Sequence, residues 1–411
     1  MKRILLTLLT IFAVLFFAAC TAKEETTNET EEETTKQEET ETEATEEEEV
    51  ASGDEGKVLR MNIGTEPTSF DPSIGFNAVS YDPLNNLMEG LTRLDHEHLA
   101  APGVAEDWDI SEDGLTYTFY LRDNAKWSNG DPVVAGDFEY AWKYMLDPET
   151  ASPAAFLAYF IEGAEEYNSG EGSRDDVKVT ALDDQTLEVV LAQPTGFFLD
   201  LLTNPAFFPI NEKVAEENPN WHAEADTFVG NGPFALESWS HDEELVFVKN
   251  EHYWDASAVK LDKVHFAMVN DTNTQYQMFE AGELDTASIP PELSDQLIGG
   301  DNVFIGPSGG LEFFRFNVTM EPFQNKKIRQ AFSYAINRAD IAEYVVKNGV
   351  EPAYGFINPG YTTPTGEDFR DVNGDLVGFD PELAKQLLEE GMAEEGYDEL
   401  VPNYANIKKG E

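Results

Sequence analysis

The chain reads Ala101-Pro102-Gly103-Val104-Ala105-Glu106-Asp107-Trp108, then Ser111-Glu112-Asp113-Gly114-Leu115-Thr116-Tyr117-Thr118-Phe119, then Leu121-Arg122-Asp123-Asn124-Ala125-Lys126-Trp127-Ser128-Asn129-Gly130. Within it, Leu115 to Leu121 has the composition of a strand. Ser128-Asn129-Gly130-Asp131-Pro132 is a turn, with residues that tolerate or impose turn dihedrals. Asp137 to Leu146 follows as a helix. Strand, turn and helix in direct succession put the chain in the mixed α/β class.

The same alternation continues on both sides. Val58 to Ile63 sets Val58, Arg60 and Asn62 against Leu59, Met61 and Ile63, the period of a half-buried strand. Thr186 to Leu191, Glu244 to Val248, Val264 to Val269 and Phe313 to Val318 are further expected strands. Helices are expected at Gln275 to Ala281, Lys326 to Asn337, Asp340 to Lys347 and Pro381 to Gly391. In Lys326 to Asn337, Ile328, Ala331, Phe332, Ala335 and Ile336 share one face. Asp380 is placed to cap the last helix, with Pro381 at its first position. No period of 20 to 50 residues recurs, which argues against solenoids and propellers.

The amino terminus has a different character. Lys2 and Arg3 precede an apolar run from Ile4 to Ala19, the pattern of a secretory signal and short for a membrane span. Ala18 and Ala19 precede Cys20, the only cysteine of the 411 residues. This resembles a bacterial lipobox, although Phe17 stands where Leu is usual. It implies cleavage after residue 19 and diacylation of Cys20. Residues 20–57 are rich in Glu and Thr and cannot bury enough surface to order themselves, so they are expected to form an extended acidic tether. With one cysteine, no intramolecular disulfide can form.

The formal net charge is −54, from 26 basic and 80 acidic side chains. Residues 21–57 carry sixteen acids and three lysines, a net of about −13, and the body from Val58 is left near −43. Such a surface excludes nucleic acid as a partner, because phosphates would be repelled. It suits a protein outside the cell in a saline or alkaline medium, where salt screens the self-repulsion, and generic solubility is the alternative reading.

Catalytic patterns are missing. There is no Gly-x-Ser-x-Gly elbow, no His-Glu-x-x-His pair and no phosphate-cradling Gly-x-x-x-x-Gly-Lys run. His96 and His98 lie on an expected hairpin tip and make a poor metal pair. Asp371, Asn373, Asp375 and Glu382 have part of the spacing of a calcium loop, but Leu376 occupies the position that needs Gly. An Asx-rich turn explains that segment equally, and no metal or cofactor is expected.

Several landmarks, taken in order, resemble one family. They are Glu89-Gly90-Leu91-Thr92, the stretch from Ala101 to Gly130, Asp147-Pro148-Glu149-Thr150-Ala151-Ser152-Pro153, Asn231-Gly232-Pro233-Phe234, Ala281-Gly282-Glu283-Leu284-Asp285 and Arg329 to Arg338. Together they are similar to the oligopeptide-binding proteins of ABC importers. One departure is Val134, where the family usually has a Thr that caps the following helix.

The resemblance implies a two-lobed trap of the periplasmic-binding-protein type with an additional inserted domain. By order, residues 58–88 plus 190–310 would be the first lobe, 89–189 the insert and 311–411 the second lobe. It implies capture of oligopeptides by backbone pairing and delivery to the permease and ATPase subunits of an ABC importer. The chain would be a monomer without enzymatic activity, held by its diacylglycerol on the outer face of the cytoplasmic membrane. Gly75, Phe76, Asn77 and Ala78 resemble the main-chain contact segment, and Asn231, Gly232, Phe313 and Phe314 resemble residues bordering the cleft. In relatives a later motif neutralises the peptide's amino group. No such motif follows Leu311, so the second lobe is expected to be incomplete. Other ligands (dipeptides, nickel chelates, haem) and a surface role with an inactive cleft stay open.

Overall fold

A computed structural model describes residues 56–306, 309–363 and 365–397. The expected signal peptide, Cys20 and nearly all of the tether lie outside the described residues. Among those described, no helix is long and apolar enough to cross a membrane.

The first sheet contains β1 (Val58–Asn62), β8 (Phe234–Ser240), β9 (Glu244–Lys249) and β10 (Lys263–Ala267), in the order β1-β10-β9-β8. Strand β1 runs parallel to β10, with Val58 opposite Lys263, and the other pairs are antiparallel. At the β1 edge, Asp285 accepts the Arg60 N–H at 2.6 Å, and its own N–H donates to the Arg60 carbonyl at 2.8 Å. A single residue thus does the work of a neighbouring strand at that point.

The second sheet is antiparallel and built locally from β4 (Ala105–Ile110), β5 (Thr116–Leu121), β6 (Val179–Asp183) and β7 (Thr186–Val190), ordered β4-β5-β7-β6. Tyr117, Phe119 and Leu121 point into the core while Thr116, Thr118 and Tyr120 alternate away, which is why this stretch is a strand. At the β6 edge, the Glu139 carboxylate accepts the Ala181 N–H at 2.7 Å and the Lys143 ammonium at 2.8 Å, so the edge is blocked by charge. A short hairpin of β2 (Thr92–Leu94) and β3 (Ala100–Pro102) stands beside these sheets. Its tip carries His96 and His98.

The helices of nine or more residues are α1 (Ala78–Leu87), α2 (Ala135–Met145), α3 (Thr272–Glu280), α4 (Lys326–Ala335) and α5 (Pro381–Glu395). Helix α2 buries Phe138, Ala141, Trp142 and Met145, spaced at i, i+3, i+4 and i+7. Val134 supplies no side-chain cap, as expected. Instead the Asp137 carboxylate turns back to accept the Val134 N–H at 3.0 Å and the Trp127 indole N–H at 3.0 Å. The helix start is therefore capped through the backbone N–H of Val134 by a carboxylate of the helix's own first turn.

Several expectations need correction. Helix α1 was not anticipated, and it takes Asn77 as its N-cap and Ala78 as its first residue. Phe313 to Val318 forms no strand: no described segment is hydrogen-bonded to it as a strand partner, and an unpaired strand is not stable in water. Asp340 to Lys347 is not one α-helix: Arg338–Asp340 is a single turn that widens to π geometry over Ile341–Val346. On α4, Ile328 and Ala331 are buried, whereas Phe332 stays 40% exposed and Ile336 falls past the helix end. Helix α5 continues through Gly391 to Glu395, since Gly391 is where the two helices touch. A Cβ there would lie 2.8 Å from Ile328 Cγ1. Lys327 holds the same pair together with Glu390 at 2.9 Å and Glu394 at 2.6 Å.

Candidate functional site

The segment from Ser69 to Ala78 is held from several sides. Phe70 is fully buried and packs on Trp239 at 4.5 Å and Phe228 at 5.7 Å. Asp71 is buried, its carboxylate accepts the Ser73 N–H at 2.8 Å, and its carbonyl accepts the Ile74 and Gly75 N–H groups at 3.0 and 2.8 Å. Burial pushes the Asp71 carboxyl above its ordinary range, against the pull of Ser73 and His222. Gly75 admits no side chain, as a Cβ would sit 2.5 Å from the Ser69 carbonyl oxygen. Across the gap to the second sheet's connections, the Ser152 hydroxyl donates to the Ser73 carbonyl at 2.5 Å.

This packing decides what the segment can offer a ligand. The N–H groups of Gly75, Phe76 and Asn77 already donate to the carbonyls of Asp71, Ile74 and Gly75. Asn77 is further committed, accepting from the Ser80 N–H at 3.0 Å and donating to Thr68 Oγ1 at 2.5 Å. What faces outward is Ala78, which is exposed, and part of the Phe76 ring. The Phe76 ring meets Tyr81 and Phe156 edge-on, at 5.9 Å in each case.

Asn231 and Gly232 sit deeper in the fold. Asn231 is 2% exposed, and its amide both accepts the Glu89 N–H at 3.0 Å and donates to the Glu89 carbonyl at 2.9 Å. The Gly232 N–H donates to the Leu87 carbonyl at 2.9 Å, and a Cβ on Gly232 would lie 2.5 Å from the Met88 nitrogen. Both residues therefore fasten the chain at the end of α1, Asn231 through its side-chain amide and Gly232 through its N–H, while the Gly232 carbonyl accepts from the Asn250 amide at 2.9 Å.

Glu89 also anchors a cluster that the sequence did not reveal. Its carboxylate accepts the Tyr253 hydroxyl at 2.6 Å, the Trp254 indole N–H at 2.6 Å and Arg93 Nη1 at 3.4 Å. Arg93 reaches on to Asp255 at 3.6 Å, and the Arg122 guanidinium lies 3.8 Å from the centre of the Trp254 ring. Burial is the largest influence on the Glu89 carboxyl and pushes it up, outweighing these donors. Tyr253-Trp254-Asp255 sets two polar-tipped aromatics beside an acid, but nothing in the order of residues joins them to Glu89.

Phe313 and Phe314 find no such seat. Phe313 is half exposed and packs on Phe356 at 5.3 Å, while Phe314 is 84% exposed. Among the described residues no cluster of His, Cys, Asp or Glu is arranged to hold a metal. Of the calcium-like spacing, Asp371 and Asn373 belong to the helical turn Phe369–Asn373, and Asp375 pairs with Arg370 at 2.5 Å.

Residues 100–408 match the family model of the bacterial extracellular solute-binding proteins, family 5 Middle. The chain belongs to this family. Among family 5 relatives, the dipeptide-binding protein DppE of Bacillus subtilis is 60% identical over 84% of this chain. The oligopeptide-binding protein OppA of the same organism is 40% identical over 82%. The chain spans 63% of the length of the first and 62% of the second. Its mixed α/β fold is also that of solved family 5 structures. The pheromone receptor PrgZ superposes with a TM-score of 0.78 at 32% identity, over 84% of this chain and 69% of that one. Listeria monocytogenes OppA bound to peptide gives 0.73 at 30% identity, over 84% and 70%. The family expectation drawn from the ordered landmarks therefore holds.

Proposed function

We propose that this chain is the peptide-capturing receptor of an ABC importer, a binding protein and not an enzyme. The observation that carries the reading is the 60% identity, over 84% of the chain, to a dipeptide-binding protein. The fixed segment from Ser69 to Ala78 supports it, because a receptor that must bind many peptides gains from a rigid backbone surface whose shape does not depend on the ligand.

In this reading the ligand lies across Gly75 to Ala78 and pairs with protein backbone. The N–H groups there are spent locally, and the Asn77 carbonyl already accepts from Ser80 and Tyr81, so this segment contributes the second lone pair of the Gly75 carbonyl and the face of Phe76. Asn231 and Gly232 brace the floor, and Phe313 and Phe314 border the opening. Residues 58–88 and 190–310 form the first lobe, 89–189 the insert, and the second lobe starts at 311. The mature chain starts at Cys20, is anchored by its lipid outside the cell and works as a monomer with a permease and its ATPase.

The test is calorimetric melting of the chain from Thr21 onward, with and without a mixture of three- to five-residue peptides. At a ligand concentration 100 times Kd, binding adds about 2.7 kcal/mol to stability. An upward shift of the transition is expected, and an unchanged transition would refute peptide capture by this chain. For the anchor, Cys20→Ala should move the protein from the membrane fraction to the medium.

A further inference from the structure

The sequence holds four Asn-Gly pairs, at Asn129, Asn231, Asn348 and Asn373. A glycine leaves its own backbone nitrogen without side-chain cover, so these are the places where an asparagine side chain is most open to attack by the next amide. The attack requires that amide to give its proton to base. A hydrogen bond shields the proton, as it does in hydrogen exchange.

The four pairs differ in that shield. The Gly130 N–H donates to the Trp127 carbonyl at 2.8 Å, the Gly232 N–H to Leu87 at 2.9 Å and the Gly374 N–H to Arg370 at 2.8 Å. Asn231 is also buried, with its side-chain amide spent on Glu89. The Gly349 N–H has no hydrogen-bond partner among the described residues, and Asn348, Gly349 and Val350 are all exposed. The Val350 N–H donates to Asn348 Oδ1 at 3.2 Å, which closes an Asx turn around Gly349 and polarises the side-chain carbonyl. Asn129 makes the same turn with Asp131 at 3.0 Å, so what separates these two pairs is the glycine N–H. Charge acts in the same direction. Residues 302–350 carry six basic and four acidic side chains, against 11 and 46 in residues 58–301, so hydroxide is repelled less here than across the earlier body.

We infer that Asn348 is a site of self-modification, in which the Gly349 nitrogen attacks Asn348 Cγ and closes a succinimide ring. The new N–Cγ bond replaces the Cγ–Nδ2 bond, and ammonia leaves with the proton that the Gly349 nitrogen gave up. Water then opens the ring. Addition at Cγ gives aspartate, and addition at the Asn348 backbone carbonyl gives isoaspartate. Either product adds a negative charge beside the ion pair of Lys347 with Asp295 at 2.8 Å, and isoaspartate lengthens the backbone where Gly349 packs on Ile305. The reaction needs no peptide, importer or membrane.

The experiment incubates the full chain in mildly alkaline buffer, digests it and follows the four pairs by mass spectrometry. In the folded chain residue 348 should gain one mass unit at least about ten-fold faster than residues 129, 231 and 373, since even a weakly closed amide is protected by that factor. In urea the four rates should converge, and Asn348→Gln should remove the fast release of ammonia. Conversion of residue 129 or 373 as fast as residue 348 in the folded chain would overturn the assignment. So would an unreactive residue 348, or a ranking that persists unchanged in urea.

Discussion

Replacing Asp137 with Asn should change how the stability of this protein depends on pH. The Asp137 side chain is 6% exposed, and burial pushes its carboxyl up to about 6 despite bonds from Val134 and Trp127. Unfolded, the same group titrates near 3.9. Between these values the folded state holds more proton than the unfolded state, so stability falls as pH rises through the window. The loss is complete above about pH 6 and absent below about pH 3.9. A shift of two units corresponds to about 3 kcal/mol, of which about 2 kcal/mol is lost between pH 4.5 and pH 7.5. Asn cannot ionise, so Asp137→Asn lacks this component while every other carboxylate titrates as before. Urea unfolding of both proteins at matched ionic strength isolates it as a difference. The variant should gain about 2 kcal/mol on the parent between those two pH values, whatever fixed offset arises from the lost acceptor. A difference that stays constant across the range would show that Asp137 ionises like an exposed aspartate and that its burial is not felt.

Asn231→Ala should cost about 2–5 kcal/mol in the same assay, since it leaves the Glu89 N–H and carbonyl buried without partners. Stability within 0.5 kcal/mol of the parent would refute that role. Glu89→Ala should cost about 3 kcal/mol, because Tyr253 and Trp254 lose their acceptor and Arg93 keeps only Asp255 as an ion-pair partner. Quenching of the Trp254 environment, followed by fluorescence, should change with it. Raising salt from low ionic strength should raise the melting temperature, given a net charge of −54. An identical melting temperature in both would contradict the account of the acidic surface.

The strands were legible wherever residues alternate between a buried and a solvated face, as Tyr117, Phe119 and Leu121 do. Phe313 to Val318 has comparable composition and yet is not a strand, because pairing depends on a neighbour that composition does not report. Helix α1 was missed for the opposite reason. Its start is written in Asn77, but that residue was read for ligand contact and not as a cap, and Pro83 within the helix masks the pattern. At the site, the order of landmarks pointed to Gly75 to Ala78 and to Asn231, but not to what those atoms already bind. The commitment of Asn231 to Glu89, 142 residues away, is a tertiary fact with no local signature.

The pairing of β1 with β10, and of Arg60 with Asp285, also fixes an order of assembly. Lys57 and Asp262 meet across 205 residues and Arg60 and Asp285 across 225, so the first sheet cannot be completed until most of the chain has left the ribosome. Closing so long a loop costs about 5 kcal/mol in chain entropy before any contact repays it. The sheet of β4 to β7, by contrast, is contained within residues 105–190 and can form as soon as that stretch is available. Until β10 (Lys263–Ala267) emerges, the first strand of the body has nowhere to dock, and β10 arrives last of the four.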